Sequence, residues 1–331
     1  MSKSKDFVGI DMSKETFDAV LLKHKEEPRH EVFENTSVGC RAFLKWLNSH
    51  GVEKQNCLVC CEHTGMYVNI LTAHLAKNNI PLWLEMSYRI IRSSGIQRGK
   101  TDKIDALRIA QYAERYQDQA VLYHVKEDVI RKVQVLLKLR DKLVRTKASL
   151  LRLANEYKEF DKQAASILSA SHANTIKAME KDIAAIDKKI MILVKSDTTI
   201  NEIYNQVTSV SGVGKITALA LICYTNGFNN FENPRQLACY CGVVPFEHTS
   251  GKSIKGKPRV HFMANKDLKR LLHMCALTAT LNDPELSTYY QRKVKEGKSK
   301  MLVLNNVRNK IVHRICACVR DGRTYENRTA A

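Results

Sequence analysis

No glycine and no proline occurs between residues 100 and 211 of this 331-residue chain. A stretch that long without either breaker has little option but helix. Apolar residues recur there at helical spacing from about residue 126 to 160: Val129, Ile130, Val133, Leu136, Leu137, Leu143, Leu150 and Leu153. A second run holds Ile167, Ile176, Met179, Ile183, Ile186, Ile190 and Leu193. Softer Ser- and Ala-rich sequence at residues 164–171 separates the two. The pattern predicts a long antiparallel helical hairpin or coiled coil over residues 125–199. It serves either as a spacer and dimerisation arm or as an ordinary helical subdomain.

The arm leaves a unit on each side, residues 1–124 and 200–331. In the first, residues 7–11 (FVGID) read as a buried strand ending in an aspartate. Residues 18–23 and 30–35 alternate and continue a meander. A helix over 37–50 follows, with Ser37 as its cap and Gly51 as its stop. Residues 57–62 (CLVCCE) form a buried strand ending in Glu62, residues 66–78 a helix, residues 80–85 (IPLWLE) a fifth strand, and a further helix begins near Thr101. Three strands followed by alternating helices and strands predict a mixed sheet flanked by helices.

The chain carries 53 Lys and Arg against 34 Asp and Glu, a net charge of +19. From Gly251 onward there are 18 basic residues and 6 acidic ones. That excess suits a polyanion such as DNA or RNA and puts the nucleic-acid face in the C-terminal quarter. No apolar run is long enough to span a membrane and no signal-peptide core is present, so a cytoplasmic location is expected. Of the ten cysteines, Cys57, Cys60 and Cys61 share a strand-like run without a second CxxC pair. Buried reduced thiols are the expectation there, not a zinc site.

Four acids stand where a sheet would gather them. Asp11 and Glu62 end strands, and strand ends line the functional crevice of an α/β sheet. Asp102 and Asp105 are three residues apart at the start of a helix and so share a face. Four converging carboxylates repel unless a cation neutralises them. Hard oxygen donors with room for water suit Mg²⁺, or Mn²⁺. Two such ions about 4 Å apart drive phosphodiester chemistry. Asp6, Glu15 and Asp18 are decoys by the same chemistry.

Two further segments bear on a polyanionic partner. Residues 207–220 (VTSVSGVGKITALA) resemble a helix-hairpin-helix element. Gly212 and Gly214 would let the backbone approach a phosphate, with Lys215 adding a contact. A plain tight turn is the other reading. Residues 240–260 (YCGVVPFEHTSGKSIKGKPRV) form a basic, Gly-rich loop with hydroxyls at Thr249, Ser250 and Ser253. Lys252, Lys255, Lys257 and Arg259 supply its positive charge. A serine beside Gly251 can attack a phosphodiester and hold the broken strand as a phosphoserine. A serine in such a loop is more often only a turn residue.

These segments match a family. GIDMSKETFDAV, CCEHTGMY and GKTDKIDALRIA in the N-terminal part resemble the DEDD-motif transposases of bacterial insertion sequences. So do SVSGVGKITALAL, NFENPRQLACYCGVVPFEHTSGKSIKGK and DLKRLLHMCAL in the C-terminal part. This is the group described as bridge-RNA-guided serine recombinases.

The resemblance implies a RuvC-like, ribonuclease-H-like N-terminal domain with its DEDD site at Asp11, Glu62, Asp102 and Asp105. It implies a mostly helical C-terminal transposase domain whose nucleophile falls at Ser250, with Ser253 close by. It also implies carboxylate-bound Mg²⁺ acting beside the serine of a neighbouring subunit, in a dimer or tetramer assembled through the arm. The partners it implies are donor and target DNA and a structured noncoding guide RNA, in the bacterial cytoplasm at the nucleoid. A hydrolytic nuclease similar to a Holliday-junction resolvase would need the acids but no serine. A noncatalytic scaffold would need neither.

Overall fold

The computed structural model describes residues 5–93, 95, 99, 101–123, 128–250 and 254–326. They belong to two compact units, Met1–Val125 and Lys126–Ala331.

In the first unit, β1 (Asp6–Met12), β2 (Thr16–Leu22) and β3 (Arg29–Glu34) form an antiparallel meander. Helix α1 (Ser37–Ser49) leads to β4 (Cys57–Glu62), and α2 (Asn69–Lys77) to β5 (Leu82–Glu85). β4 adds in parallel beside β1 and β5 in parallel beside β4, giving the order β3-β2-β1-β4-β5. This is the mixed, ribonuclease-H-like sheet that the motifs imply. Helices α3 (Ser87–Ser93) and α4 (Asp102–Arg115) complete the unit.

The two faces of the sheet bury different cores. Val8, Ile10, Phe17, Val59 and Cys61 pack with Phe43 and Leu47 of α1 and with Leu71 and Leu75 of α2. On the opposite face Phe7, Leu58, Cys60 and Trp83 receive Ile109, Tyr112 and Ala113 of α4. A parallel strand covered on both sides reads as a continuous apolar run, which is why CLVCC shows no alternation. Cys57 and Cys60 face opposite cores, and burial raises both thiols above the ordinary range.

Two local expectations are corrected here. The cap of α1 is Thr36, in extended conformation, whose Oγ accepts from Gly39 N at 3.1 Å; Ser37 already lies inside the helix. The breaker-free stretch is not helical throughout either. After α4 the chain runs through a short 3-10 turn into extended residues, where Leu122 bridges Trp83 and Tyr123 N donates to Leu82 O at 2.6 Å. The unpaired edge of β5 offers backbone partners that outweigh helix propensity.

The second unit begins with α5 (Asp128–Tyr157) and α6 (Lys162–Lys195), an antiparallel hairpin. Arg140 pairs with Asp187 at 2.6 Å and Lys147 with Glu180 at 3.0 Å across it. The turn falls at residues 158–161, before the Ser- and Ala-rich segment. Asp161 accepts from the amides of Gln163 and Ala164, each at 2.9 Å, and starts α6 there. Alanine is the best helix former, so residues 164–171 stay helical once the cap is set.

The root of the arm shares one core with the helices that follow. Ile130, Val133, Ile186, Ile190 and Val194 pack with Ile200, Leu221, Leu272 and Ile311. Those helices are α7 (Thr198–Ser209), α8 (Lys215–Thr225), α9 (Pro234–Tyr240), α10 (Lys266–Asn282), α11 (Pro284–Lys295) and α12 (Lys300–Arg320). Between α9 and α10 the segment read as a basic loop forms an antiparallel hairpin, β6 (Phe246–Ser250) with β7 (Ile254–Arg259).

Candidate active site

Asp11 lies at the C-terminal end of β1, on the sheet face that α4 covers. Its neighbour Gly9 makes that coverage possible. A Cβ on Gly9 would stand 2.1 Å from Ala106 O and 2.2 Å from Ala110 N, so the helix backbone rests directly on the strand. Ala106 and Ala110 are fully buried at this contact. Ala106 lies over Gly9, and Ile109 and Ala113 pack with Phe7, so the start of α4 points toward Asp11. Thr101 caps that start by accepting from Ile104 N at 3.3 Å, which fixes Asp102 and Asp105 in the first turn. The positive end of the helix dipole stabilises both acids locally.

Partial burial, then the charges of Asp102, Asp105, Glu62 and Asp18, push the pKa of Asp11 from 3.8 up to about 6. The other three residues read as metal ligands from the sequence are thus within electrostatic reach of Asp11. Glu62 ends β4 and accepts a short hydrogen bond from Ser87 Oγ. Asp105 pairs with Arg108 at 2.8 Å, and Arg108 also donates to Gly99 O at 3.1 Å. Among the described residues, no three His, Cys, Asp or Glu side chains are drawn together into a closed metal cluster. What the structure does bring together is narrower: Asp11 feels the charges of Asp102, Asp105 and Glu62. The donor set, all hard carboxylate oxygens, fits Mg²⁺ or Mn²⁺.

The neighbouring acids are distinguished by their partners. Asp18 lies opposite Asp11 in the β1–β2 register, and His30 bonds it at 2.6 Å. Asp6 sits at the far end of β1, 3.9 Å from Lys23. Glu15 is exposed. Sequence reasoning passed over Glu85, which ends β5 in register with Glu62. It is 4% exposed and accepts from Met86 N at 2.7 Å and Tyr112 Oη at 3.1 Å. Those bonds occupy its oxygens and tie β5 to α4. The strand-end position was a visible signal; the partners were not. Ser87, two residues on, gave no signal of its own.

In the second unit, Gly212 has φ +84°, and a Cβ there would meet Cys275 O at 2.5 Å. The turn between α7 and α8 packs against α10, which explains this glycine without a ligand. Gly214 is exposed with open space at its Cβ position, and it caps α8 with no side-chain bond. Lys215, also exposed, is the first residue of α8. Ser250 closes β6 opposite Ile254, and Arg259 pairs with Phe246 and is exposed. Gly251, Lys252 and Ser253 lie outside the described residues, as do the side chains of Ser250, Lys255 and Lys257.

Comparison with known proteins converges on one family. Residues 8–159 match a model of DEDD transposases of the IS110 type. Residues 204–291 match the transposase IS116/IS110/IS902 family. The chain is 27% identical over 333 residues to a pilin gene-inverting protein of Moraxella bovis, covering 98% of this chain and 99% of the relative. It is 30% identical over 167 residues to an uncharacterised 43.6 kDa protein of insertion element IS110 from Streptomyces coelicolor, 50% of this chain and 40% of that one. It is 28% identical over 178 residues to the transposase of insertion element IS1111A from Coxiella burnetii, 47% and 48% of the two chains.

Proposed function

The chain belongs to the IS116/IS110/IS902 family of transposases, and from that premise we propose that it cuts and rejoins DNA through a serine nucleophile assisted by metal-binding carboxylates. The observation that supports this reading is the place of Asp11 at the end of β1, where burial and the charges of Asp102, Asp105 and Glu62 raise its pKa to about 6.

Asp11, Glu62, Asp102 and Asp105 would hold Mg²⁺, or Mn²⁺. Bound there, the cation offsets the carboxylate repulsion and draws charge from a DNA phosphate. Ser87 orients Glu62, and Arg108 holds Asp105 toward the start of α4. Ser250 Oγ forms a bond to phosphorus while the bond from phosphorus to the departing strand oxygen breaks. The serine proton leaves, and the released strand end takes one up as a hydroxyl. The phosphoserine keeps the phosphodiester's energy, so a second strand hydroxyl can reverse the step and rejoin DNA without another energy source.

The relative that inverts a pilin gene favours this over the hydrolytic alternative, because inversion demands rejoining. The wider reading includes a structured guide RNA that supplies sequence choice by pairing, with the protein gripping backbone and duplex shape. It also includes a dimer or tetramer joined through the arm, and action at the nucleoid. Exposed Leu139, Leu151 and Ile167 on the arm supply apolar surface for such assembly. Lys215 and Arg259 are solvent-exposed cations available to phosphates. No helix among the described residues is long and apolar enough to cross a membrane.

The test is to trap a covalent complex. Protein, RNA, labelled donor and target DNA and Mg²⁺ are quenched and resolved on a denaturing gel beside Ser250→Ala and Asp11→Ala. An adduct lost in both variants is the expected result. Cleavage without an adduct, unchanged by Ser250→Ala but lost with Asp11→Ala, would establish a hydrolytic nuclease instead.

A further inference from the structure

The second unit buries an arginine with nothing among the described residues to neutralise it, and a half-buried histidine stands on a helix packed against its own. Arg308 on α12 is 5% exposed. It makes no ion pair or hydrogen bond among the described residues, and its Nε is sealed from water without an acceptor. His273 on α10 has a buried Nδ1 that also lacks a partner. Helices α10 and α12 pack against each other, and burial, then the charge of Arg308, holds the His273 pKa below the ordinary value.

Arginine is almost never buried unless paired, and it does not escape by losing its proton at physiological pH. This fold does pair a half-buried arginine on α12. Arg314 reaches Asp283 at 2.7 Å and Glu285 at 2.6 Å. The remaining acids of α10 and α11 are engaged as well: Asp267 with Arg145 and Tyr224, and Glu296 with Lys293. Arg308 therefore stands out as a buried cation whose anion is not supplied by the described protein.

Its position gives that vacancy a direction. Asn305, one turn earlier on α12, donates to Val243 O at 2.7 Å. Val243 leads within three residues into β6. Gly242 beside it lies in the left-handed region at φ +65°, where a Cβ would come 3.4 Å from Lys269 Cδ. Lys269 is one helical turn before His273 on α10 and makes no ion pair among the described residues. Lys269, His273 and Arg308 thus flank the foot of the β6–β7 hairpin that carries Ser250. Arg308 keeps a small part of its surface at solvent and His273 is half-buried, so the site has a solvent edge.

We propose that Arg308 and His273, with Lys269 at the rim, form an oxyanion site that seats one backbone phosphodiester of the DNA beside the serine hairpin. This rests on the transposase reading, since DNA is the polyanion such an enzyme must hold. The planar guanidinium offers parallel donors to two phosphate oxygens. A phosphate fixed there sets the register of the strand against Ser250 and carries no sequence information.

The test uses the full chain, Arg308→Met and Arg308→Lys. Inorganic phosphate should raise the melting temperature of wild type saturably and leave Arg308→Met unmoved. Binding of a short duplex, titrated over salt, should weaken several-fold in Arg308→Met, with the slope of log affinity against log salt smaller by about one. Arg308→Lys keeps the charge and should keep the slope while losing the fork.

Without anion, Arg308→Met should melt at or above wild type, because it removes an uncompensated buried charge. A variant that melts lower yet keeps wild-type duplex affinity and slope would make Arg308 a structural residue and end the proposal. So would a phosphate response equal in wild type and Arg308→Met, which marks an adventitious ion. Loss of affinity for RNA alone would overturn the assignment to DNA. Phosphate stabilisation that survives where wild type forms no Ser250 adduct would instead count against the strand-transfer reading and leave the anion site standing.

Discussion

With its pKa moved from 3.8 to about 6, Asp11 binds a proton more tightly in the folded chain than in the unfolded one. Its ionised form therefore opposes folding. That penalty is complete above about pH 6, shrinks as pH falls, and is gone below about 3.8. Asp11→Asn should then raise stability in EDTA at pH 7.5 by roughly 1–2 kcal/mol after discounting for solvent screening, and abolish strand cleavage. The difference should vanish near pH 4. Mg²⁺ should raise the melting temperature of wild type and not of the variant. A variant that melts lower at pH 7.5 would show that the four acids do not strain one another.

Ser87→Ala releases Glu62; the expected outcome is a loss of about 10-fold in cleavage, recovered in part at higher Mg²⁺, read from a metal titration of the rate. The four acids were legible because strand ends and helix starts are visible in the pattern of apolar residues. Ser87 was not, because nothing in a lone serine says which carboxylate it will meet.

Among elements, α4 decides whether the acids meet. Gly9→Ala forces a methyl group against the backbone of Ala106 and Ala110, and backbone cannot yield as a side-chain tip can. The expected cost is about 3 kcal/mol in urea unfolding, and the surviving folded protein should cleave poorly because Asp102 and Asp105 shift with the helix. Normal cleavage by a stably folded Gly9→Ala protein would remove this docking from the mechanism. A strand glycine of this kind shows in sequence only as a gap in the apolar run FVGID.

The five strands of the sheet were readable because alternation or unbroken apolar runs mark them. The turn of the arm was not, since residues 158–161 contain neither Gly nor Pro and only the Asp161 cap marks the restart. The β6–β7 hairpin was hidden for the opposite reason. Its strands are short, and β7 (IKGKPR) carries Lys, Gly and Pro, a composition that also describes a solvated loop. Gly212 was legible as a turn residue, with a tight turn and a phosphate approach both open; its close packing on α10 was not, because nothing in the sequence names that neighbour.

At the scale of the molecule, the acids belong to one compact unit and the serine to the other. If catalysis joins the acids of one subunit to the serine of its neighbour, the two defects should complement. Asp11→Asn alone forms no adduct, and neither does Ser250→Ala. Subunits refolded together give mixed oligomers in which one composite site keeps both an intact acid set and an intact serine, while its counterpart lacks both. Adduct should therefore reappear in the mixture, and the labelled DNA should be attached only to the Asp11→Asn chain, which still owns Ser250. A size tag on one variant makes that attachment readable on the same gel. If each subunit instead used its own acids and serine, every chain in the mixture would carry one defect and no adduct would form. A mixture that stays silent while wild type labels would thus assign the chemistry to a single chain, and the arm would then be left with assembly or DNA spacing as its work.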